Sequence, residues 1–191
     1  MTIIYPPIGD LGINRNPKYL HPWLFQRIQN LIARCTAAGV FVGVFEGYRS
    51  PERQAMLYTY GRTIQNPNSP ATAEHPLGLH ATNAAPFKSF HQFGLAADIV
   101  VDGDPVKAGY QWNWDDRKLQ YETMGRFAGV CGLDWAGLWQ GELKEKPHVQ
   151  MPLGFTYSQC SEMLTEEKSL TGLWEQMKAA QPYTPEGGHL S

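Results

Sequence analysis

Apolar and polar positions in the first third of the chain follow two different periods. Across residues 21–38 the apolar side chains recur every three or four positions, which predicts an amphipathic helix. The apolar run at residues 40–45 predicts a buried strand. Ser50 followed by Pro51 is typical of a helix N-cap and first helical position, so a second helix is predicted from there to about residue 60.

The second half of the chain repeats this alternation with shorter elements. Residues 95–101 form an apolar run that predicts a short strand. A helix capped by Asp115 or Asp116 is predicted to run to about residue 130, and residues 147–151 are predicted to form the last core strand. Helices interleaved with short strands and a small sheet indicate an α+β fold.

The chain of 191 residues is predicted to contain one catalytic unit, residues 1–155. Residues 156–191 are predicted to form a C-terminal helical tail that packs on the same domain, with one or two short helices within residues 157–180. Residues 62–88 are rich in proline, asparagine and serine and are predicted to form a long loop. Loops of this length inside a compact domain are usually functional.

Composition narrows the classes of function. Hydrophobic residues make up 42% and charged residues 18%, which excludes a disordered chain and a coiled coil. A formal net charge of -2 gives no reason to expect nucleic acid or an anionic membrane as partner. No apolar run approaches the length of a membrane span, and the amino terminus lacks the pattern of an export signal. The three widely spaced cysteines are predicted to be buried free thiols.

One decapeptide, residues 89–98, places a histidine and an aspartate on either side of a glycine. His91 and Asp98 are too far apart to be neighbours on one strand, but a turn at Gly94 would let both side chains meet. Asp98 interrupts an apolar run, where an unpaired carboxylate is costly and a cation would offset the cost. Taken alone, these residues fit a metal site and the alternative, an Asp98 that caps a turn and a His91 at the surface, about equally well.

A second histidine with a nearby carboxylate favours the metal. Glu145 precedes His148 by three residues, and His148 interrupts another apolar run. Two imidazoles and one carboxylate leave an open position for water on a catalytic zinc, and Glu145 is predicted to be the general base. Glu142 is the alternative base, and a solvated charged run is the alternative for Glu145.

Other side chains near these segments are candidates for substrate contacts. Arg49 lies at a strand–helix junction and is predicted to stabilise an oxyanion, although a surface arginine is an open alternative. Gln54, one turn further on, is predicted to face the same cleft. Ser89 is predicted either to bind substrate or to cap a turn. His75 and His80, in the long loop, are expected to lie behind the metal ligands or in solvent and not to bind the metal directly.

Four blocks of sequence resemble one family of enzymes. Residues 89–98 fit the S-x-H-x-x-G-x-A-x-D signature of the zinc D-alanyl-D-alanine carboxypeptidases and L-alanyl-D-glutamate peptidases. Residues 145–148 resemble their second signature, an acidic residue three positions before the last histidine ligand. Residues 47–63 and the tryptophan-rich residues 132–139 are similar to two further blocks, so the resemblance covers about residues 20–152. Gln150 stands where the family usually has glutamate.

This resemblance implies a metal site, a fold and a substrate. It implies Zn²⁺ held by His91, Asp98 and His148, with Glu145 as the catalytic base and Arg49 as the stabiliser of the transition state. Trp139, together with Ser89 and Gln54, is expected to contact substrate. The implied fold is the small antiparallel sheet flanked by helices that these peptidases share with the Hedgehog signalling domain.

The implied substrate is the stem peptide of bacterial peptidoglycan. The blocks at residues 47–63 and 132–139 look most like L-alanyl-D-glutamate endopeptidases of the endolysin type. D-alanyl-D-alanine carboxypeptidase activity is the alternative, and a non-catalytic zinc-containing wall-binding module is a third. The expected protein is a monomer that acts on the cell wall and stays cytoplasmic until it is released or exported by another route.

Overall fold

The computed structural model describes residues 11–115, 119–141 and 144–180. The helices are α1 (Pro22–Ala37), α2 (Pro51–Thr59), α3 (Gln120–Val130), α4 (Tyr157–Glu167) and α5 (Leu170–Ala180). The strands are β1 (Val42–Glu46), β2 (Ala96–Asp102), β3 (Trp112–Asn113), β4 (Asp134–Trp135) and β5 (His148–Gln150). Short 3-10 helices lie at Pro17–Tyr19, Phe90–Phe93 and Ala136–Leu138. The predicted α+β class with a small antiparallel sheet is confirmed.

The sheet brings together residues that are far apart in the sequence. Its strand order is β1-β2-β5-β4, with β3 added to β2, and every pairing is antiparallel. Asp98 on β2 pairs with Glu46 on one side and with His148 on the other. Because paired residues share a sheet face, one row across three strands carries two carboxylates and an imidazole.

One face of the sheet packs against α1 and α3. In α1, Leu24, Ile28, Leu31 and Cys35 are fully buried at helical spacing. They contact strand residues such as Ile99 and Val149 in one hydrophobic cluster. The N-cap of α1 is His21, whose Nδ1 accepts a hydrogen bond from the Trp23 N–H at 3.1 Å. This core holds β2, which carries Asp98, and β5, which carries His148.

The Phe90–Phe93 helix packs against the two C-terminal helices, α4 and α5. Trp174 of α5 is buried and donates a hydrogen bond from Nε1 to the Phe93 carbonyl at 2.8 Å. The rings of Phe90 and Tyr157 lie 4.4 Å apart, centroid to centroid. Helix α4 begins with a capping box formed by Thr156 and Gln159. Helices α4 and α5 therefore share a hydrophobic cluster with the short helix that carries His91. The predicted domain boundary at residue 155 stays a prediction.

The predicted start of the third helix was wrong. The helix begins at Gln120, after Leu119 in a left-handed conformation, so Asp115 does not cap it. Instead the Asp115 N–H donates to Asn113 Oδ1 at 3.0 Å, which places it in the turn after β3. The alternative cap, Asp116, lies outside the described residues.

The remaining expectations concern the loop, the thiols and the membrane. Between Thr59 and Phe90 the described chain has no helix or strand, apart from an isolated bridge between Tyr60 and Ile64. All three cysteines are free; Cys35 and Cys160 are buried, whereas Cys131 is half-buried. Within the described ranges, no helix combines the length and the apolar character that crossing a bilayer requires.

Candidate metal centre

The backbone around His91 is held by a cap on one side and a glycine on the other. Ser89 is the N-cap of the Phe90–Phe93 helix, and its Oγ accepts a hydrogen bond from the His91 N–H at 3.4 Å. Gly94 ends this helix with φ of 66°. A Cβ at this position would also collide with the Tyr19 carbonyl, so both the conformation and the space require glycine. The predicted turn at Gly94 is therefore present, and it directs the imidazole of His91 toward β2.

Three predicted ligand atoms form a nearly equilateral triangle. The distance from His91 Nε2 to His148 Nδ1 is 3.3 Å. Asp98 Oδ1 lies 3.4 Å from each of these nitrogens. A tetrahedral zinc with ligand bonds of about 2.0–2.1 Å separates its ligand atoms by about 3.3–3.4 Å. The triangle thus has the size that a tetrahedral zinc requires, and it is the only such cluster of possible metal ligands within the described part of the chain.

The second polar atom of each ligand is held by a neighbour. His91 Nδ1 lies 2.6 Å from the Gly47 carbonyl, which can only accept, so this nitrogen carries the proton. His148 Nε2 lies 3.1 Å from Gln150 Oε1 and donates to it. Asp98 Oδ2 accepts from Arg49 Nη2 at 2.9 Å. Such partners fix the tautomer and the direction of each ligand, leaving the three remaining lone pairs pointed at one another.

The charges of the site are strongly coupled. Burial alone would raise the pKa of Asp98, but the imidazole of His91, the hydrogen bond from His148 and the charge of Arg49 outweigh burial and hold that pKa well below its usual range. Burial alone would lower the pKa of His148, but Asp98 outweighs it and raises that pKa. Asp98 is therefore an anion at neutral pH, which is the form that binds a cation.

Arg49 is almost fully engaged by the protein itself. Its Nε and Nη2 donate to Glu46 Oε2 at 2.9 and 2.7 Å, and Nη2 also donates to Asp98. Its Nη1 donates to Gln54 Oε1 at 3.1 Å. These bonds use four of the five guanidinium N–H groups, counted among the described residues. The second N–H on Nη1 has no acceptor among the described residues.

Glu46 is the residue of this centre that sequence inspection missed. Its side chain is 2% exposed, and it also accepts from Arg53 Nε, so one carboxylate stands between two guanidinium groups. A buried carboxylate at the end of an apolar strand is the signal that would have found it. The register of β1 against β2, which the sequence does not show, aligns it with Asp98.

Gln54 lies behind Arg49 rather than at the surface. It is fully buried, and its Nε2 donates to the Ala84 carbonyl at 2.6 Å. Its Oε1 also accepts from Gln92 Nε2 at 3.0 Å. Gln92 Oε1 in turn accepts from the Phe87 N–H at 2.9 Å. The predicted substrate contact of Gln54 is thus replaced by a link between Arg49 and the long loop.

Glu145 lies at the rim of the metal triangle. Its carbonyl accepts from the His148 N–H at 3.2 Å, so the two residues belong to one turn before β5. The residue is exposed, yet partial desolvation of its carboxylate and the negative charge of Asp98 raise its pKa. A carboxylate of raised pKa beside a metal is suited to accept and return a proton. The alternative base, Glu142, lies outside the described residues.

The other predicted residues are distributed around this centre. The ring of Trp139 is 5.5 Å from that of His148 and forms one wall. Ser89 is 8% exposed, and its cap to the His91 N–H favours the structural alternative over substrate binding. His75 and His80 are exposed residues of the long loop and are not part of the metal cluster.

Comparison with known proteins identifies the family. Residues 17–127 match the sequence model of the VanY family, described as D-alanyl-D-alanine carboxypeptidase. The chain belongs to the VanY family. As a member of this family it is an enzyme, a peptidoglycan peptidase, and the predicted family is confirmed. Which bond of the stem peptide it cleaves is a finer question.

The relatives of this VanY-family chain are named for two different activities. It is 28% identical over 138 residues to the peptidoglycan L-alanyl-D-glutamate endopeptidase CwlK of Bacillus subtilis, covering 71% of this chain and 75% of the relative. The crystal structure of the Serratia marcescens L-Ala D-Glu endopeptidase ChiX aligns at 26% identity with a TM-score of 0.44, covering 71% and 83%. A variant of the D,D-pentapeptidase VanY, solved in complex with Zn(II), aligns at 18% identity with a TM-score of 0.48, covering 81% and 83%.

Proposed function

We propose that this VanY-family peptidase is a zinc enzyme that hydrolyses the L-alanyl-D-glutamate bond of peptidoglycan stem peptides. His91, Asp98 and His148 would hold the zinc. The triangle of ligand atoms with edges of 3.3–3.4 Å carries the proposal, since its size and its set of two nitrogens and one oxygen both suit a tetrahedral zinc. The hydrogen bonds to Gly47 and Gln150 select the tautomer of each imidazole that leaves a nitrogen for the metal, and Arg49 favours the carboxylate form of Asp98. His148, whose pKa is raised by Asp98, would release a proton when the metal binds.

When bound, zinc would polarise the scissile carbonyl and lower the pKa of an attacking water. Glu145 would accept the proton of that water at its carboxylate and return it to the amine of the leaving residue. Its raised pKa brings the two protonation states closer in energy at neutral pH, which suits a group that must use both. Trp139 would exclude water on the side of His148.

Arg49 would act in two ways. Its Nη2 holds Asp98 Oδ2 and so directs the other carboxylate oxygen into the ligand triangle. Its remaining Nη1 hydrogen would donate to the substrate carbonyl oxygen as negative charge develops there. A single N–H is a modest contribution, so positioning of Asp98 is the larger of the two roles.

Cleavage of the L-alanyl-D-glutamate bond is supported by the similarity to CwlK, because the alignment covers most of both chains. The alternative is cleavage between the two terminal D-alanines, which is favoured by the description of the matched family. A non-catalytic wall-binding module would have no use for a proton-accepting carboxylate such as Glu145 beside the ligands. We further propose that the protein acts as a monomer on the cell wall.

Digestion of purified peptidoglycan, analysed by mass spectrometry, tests the proposal. Cleavage of the L-alanyl-D-glutamate bond releases peptides that begin with D-glutamate and leaves L-alanine on the glycan. Cleavage of the terminal bond releases free D-alanine instead. Chelator treatment should abolish release, and zinc should restore it. Release of D-alanine alone would refute the bond assignment, and full activity without metal would refute the mechanism.

A further inference from the structure

Four aromatic side chains form a continuous surface beside the metal centre. We call Phe45, Tyr110, Trp112 and Trp114 the aromatic platform. Tyr110 and Trp112 are stacked at 4.5 Å with an interplanar angle of 6°. Phe45 contacts the rings of Trp112 at 5.5 Å and Trp114 at 4.8 Å, both edge to face. None of these residues belongs to the two hydrophobic clusters that make up the core.

The platform lies on the same face of the sheet as Asp98. Ile99 and Val101 of β2 point into the core, so Asp98 and Val100 point to the other face. Val100 pairs with Gly43, and the ring of Tyr110 fills the space that a side chain at Gly43 would occupy. Gly43 is one strand across and two residues along from Asp98, steps of about 4.8 Å and about 6.7 Å, so the backbone beneath the platform lies about 8 Å from that of the metal ligand.

The platform is both exposed and preformed. Tyr110 is 50% exposed and Trp114 is 52% exposed. The segment that carries them is tied to the sheet, because Asp102 Oδ1 accepts from the Gln111 N–H at 3.0 Å and the Tyr121 hydroxyl donates to the Asn113 carbonyl at 2.8 Å. Exposed aromatic surface that is held in place is typical of a binding site.

We propose that the aromatic platform binds a sugar ring of the peptidoglycan glycan strand while the attached stem peptide occupies the metal centre. This inference rests on the proposed function. A pyranose ring presents a face of C–H groups, which packs against the negative face of an aromatic ring. Arg15 lies over the rings of Phe45 and Trp112, with its guanidinium carbon 5.2 and 5.5 Å from their centroids. The sugar would therefore pack on the exposed rings of Tyr110 and Trp114, and Arg15 would supply N–H donors for its hydroxyl or acetamido oxygens.

Distance favours this occupant for one bond in particular. In peptidoglycan the stem peptide is attached through a lactyl group, so the L-alanyl-D-glutamate bond lies about two residue lengths, or about 7 Å, from the sugar. The bond between the terminal D-alanines lies about five residue lengths, or about 17 Å, from it. A backbone separation of about 8 Å between the platform and Asp98 is close to the first distance and about half of the second, which favours the L-alanyl-D-glutamate bond.

The test compares one peptide with and without its sugar. The two substrates are a free stem tetrapeptide and the same peptide attached to its disaccharide. The wild type is expected to have a higher kcat/KM for the disaccharide-linked peptide. Trp114→Ala and Tyr110→Ala are each expected to reduce the ratio of the two kcat/KM values by about threefold to tenfold, which is the effect of losing one aromatic contact. Val130→Ala, at an exposed apolar residue at the end of α3, is the control and should leave the ratio unchanged.

A binding measurement separates this inference from the proposed function. Peptide-free glycan strands are expected to quench the tryptophan fluorescence of zinc-free protein, with binding weakened in Trp114→Ala. If the wild type cleaved neither peptide, the proposed function would fail, whereas the glycan titration would still decide the role of the platform. An unchanged ratio in a folded Trp114→Ala protein would overturn the inference. Linear N-acetylglucosamine oligomers present the same C–H face and acetamido group and are expected to bind as well, whereas the absence of binding by either glycan would overturn the inference.

Discussion

His21 makes the folded protein sensitive to acid at a place outside the metal ligands. Its ring is fully buried, with Trp23 and Trp174 at 5.3 and 5.7 Å, and its Nδ1 accepts the hydrogen bond that caps α1. Among the described residues its Nε2 has no hydrogen-bond partner. Burial, and then the charge of Lys178, lower the pKa of His21 from 6.5 to about 4.

The sign of the effect follows from which state binds the proton first. Between pH 6.5 and about 4 the unfolded chain takes up a proton at His21 and the folded protein does not, so acid stabilises the unfolded state. The free energy of unfolding contributed by this group is constant above pH 6.5 and decreases as pH falls. At 1.36 kcal/mol per pH unit, the difference between 6.5 and 4 corresponds to about 3 kcal/mol.

The assay is urea unfolding between pH 4 and pH 8, with the wild type compared with His21→Asn. Asparagine is a good N-cap and does not titrate in this range, so the difference between the two unfolding free energies isolates His21. That difference should change by about 3 kcal/mol between pH 7 and pH 4, against the wild type in acid. His75→Asn, at an exposed loop histidine, is the matched control. A difference that stays flat over this range would refute the assignment.

Three further predictions address the centre itself. Glu145→Gln should keep its zinc, measured by atomic absorption, and lose about 10²–10⁴-fold in kcat; a fully active variant would exclude Glu145 as the base. Glu46→Gln leaves the buried charge of Arg49 with a weaker partner and should cost about 3 kcal/mol in urea unfolding and weaken zinc binding in a chelator competition; unchanged zinc affinity would contradict the positioning of Asp98 through Arg49. Gly94→Ala should lower the free energy of unfolding by about 3 kcal/mol or more, because the left-handed backbone is strained with a Cβ and that Cβ collides with the Tyr19 carbonyl. Gly109→Ala is the control: its φ of 75° is similar and no atom lies nearby, so it should show the backbone strain alone, about 1–3 kcal/mol.

The sequence was informative where the determinants of structure are local. Ser50 and Pro51 fixed the start of α2, and Gly94 fixed the turn that allows His91 and Asp98 to meet. The sequence was uninformative where a partner comes from a distant segment. The pairing of Glu46 with Asp98 depends on an irregular register in β1. Helix α3 begins after Leu119 in a left-handed conformation and has no side-chain cap, so no N-cap residue marks its start in the sequence.

The long loop shows how a segment without periodicity can still have a defined shape. Asn66 binds it internally, with Nδ2 donating to the Leu79 carbonyl at 2.7 Å. Arg62 Nη1 donates to the Thr82 carbonyl at 2.9 Å. These side chains replace the backbone ladder of a helix or strand, so the order of the loop is invisible to a search for hydrophobic period.

This loop is also joined to the metal centre. The Ala84 carbonyl is held by Gln54, Gln54 is held by Arg49, and Arg49 holds the Asp98 oxygen that faces away from the ligand triangle. All three side chains in this chain of hydrogen bonds are largely buried, where such bonds are stronger than in water and a missing one is costly. A substrate that displaced the loop near Ala84 would therefore have to break a bond to Gln54 that helps to orient Arg49. The position of the loop at Ala84 and the placement of the ligand Asp98 are in this way parts of one network.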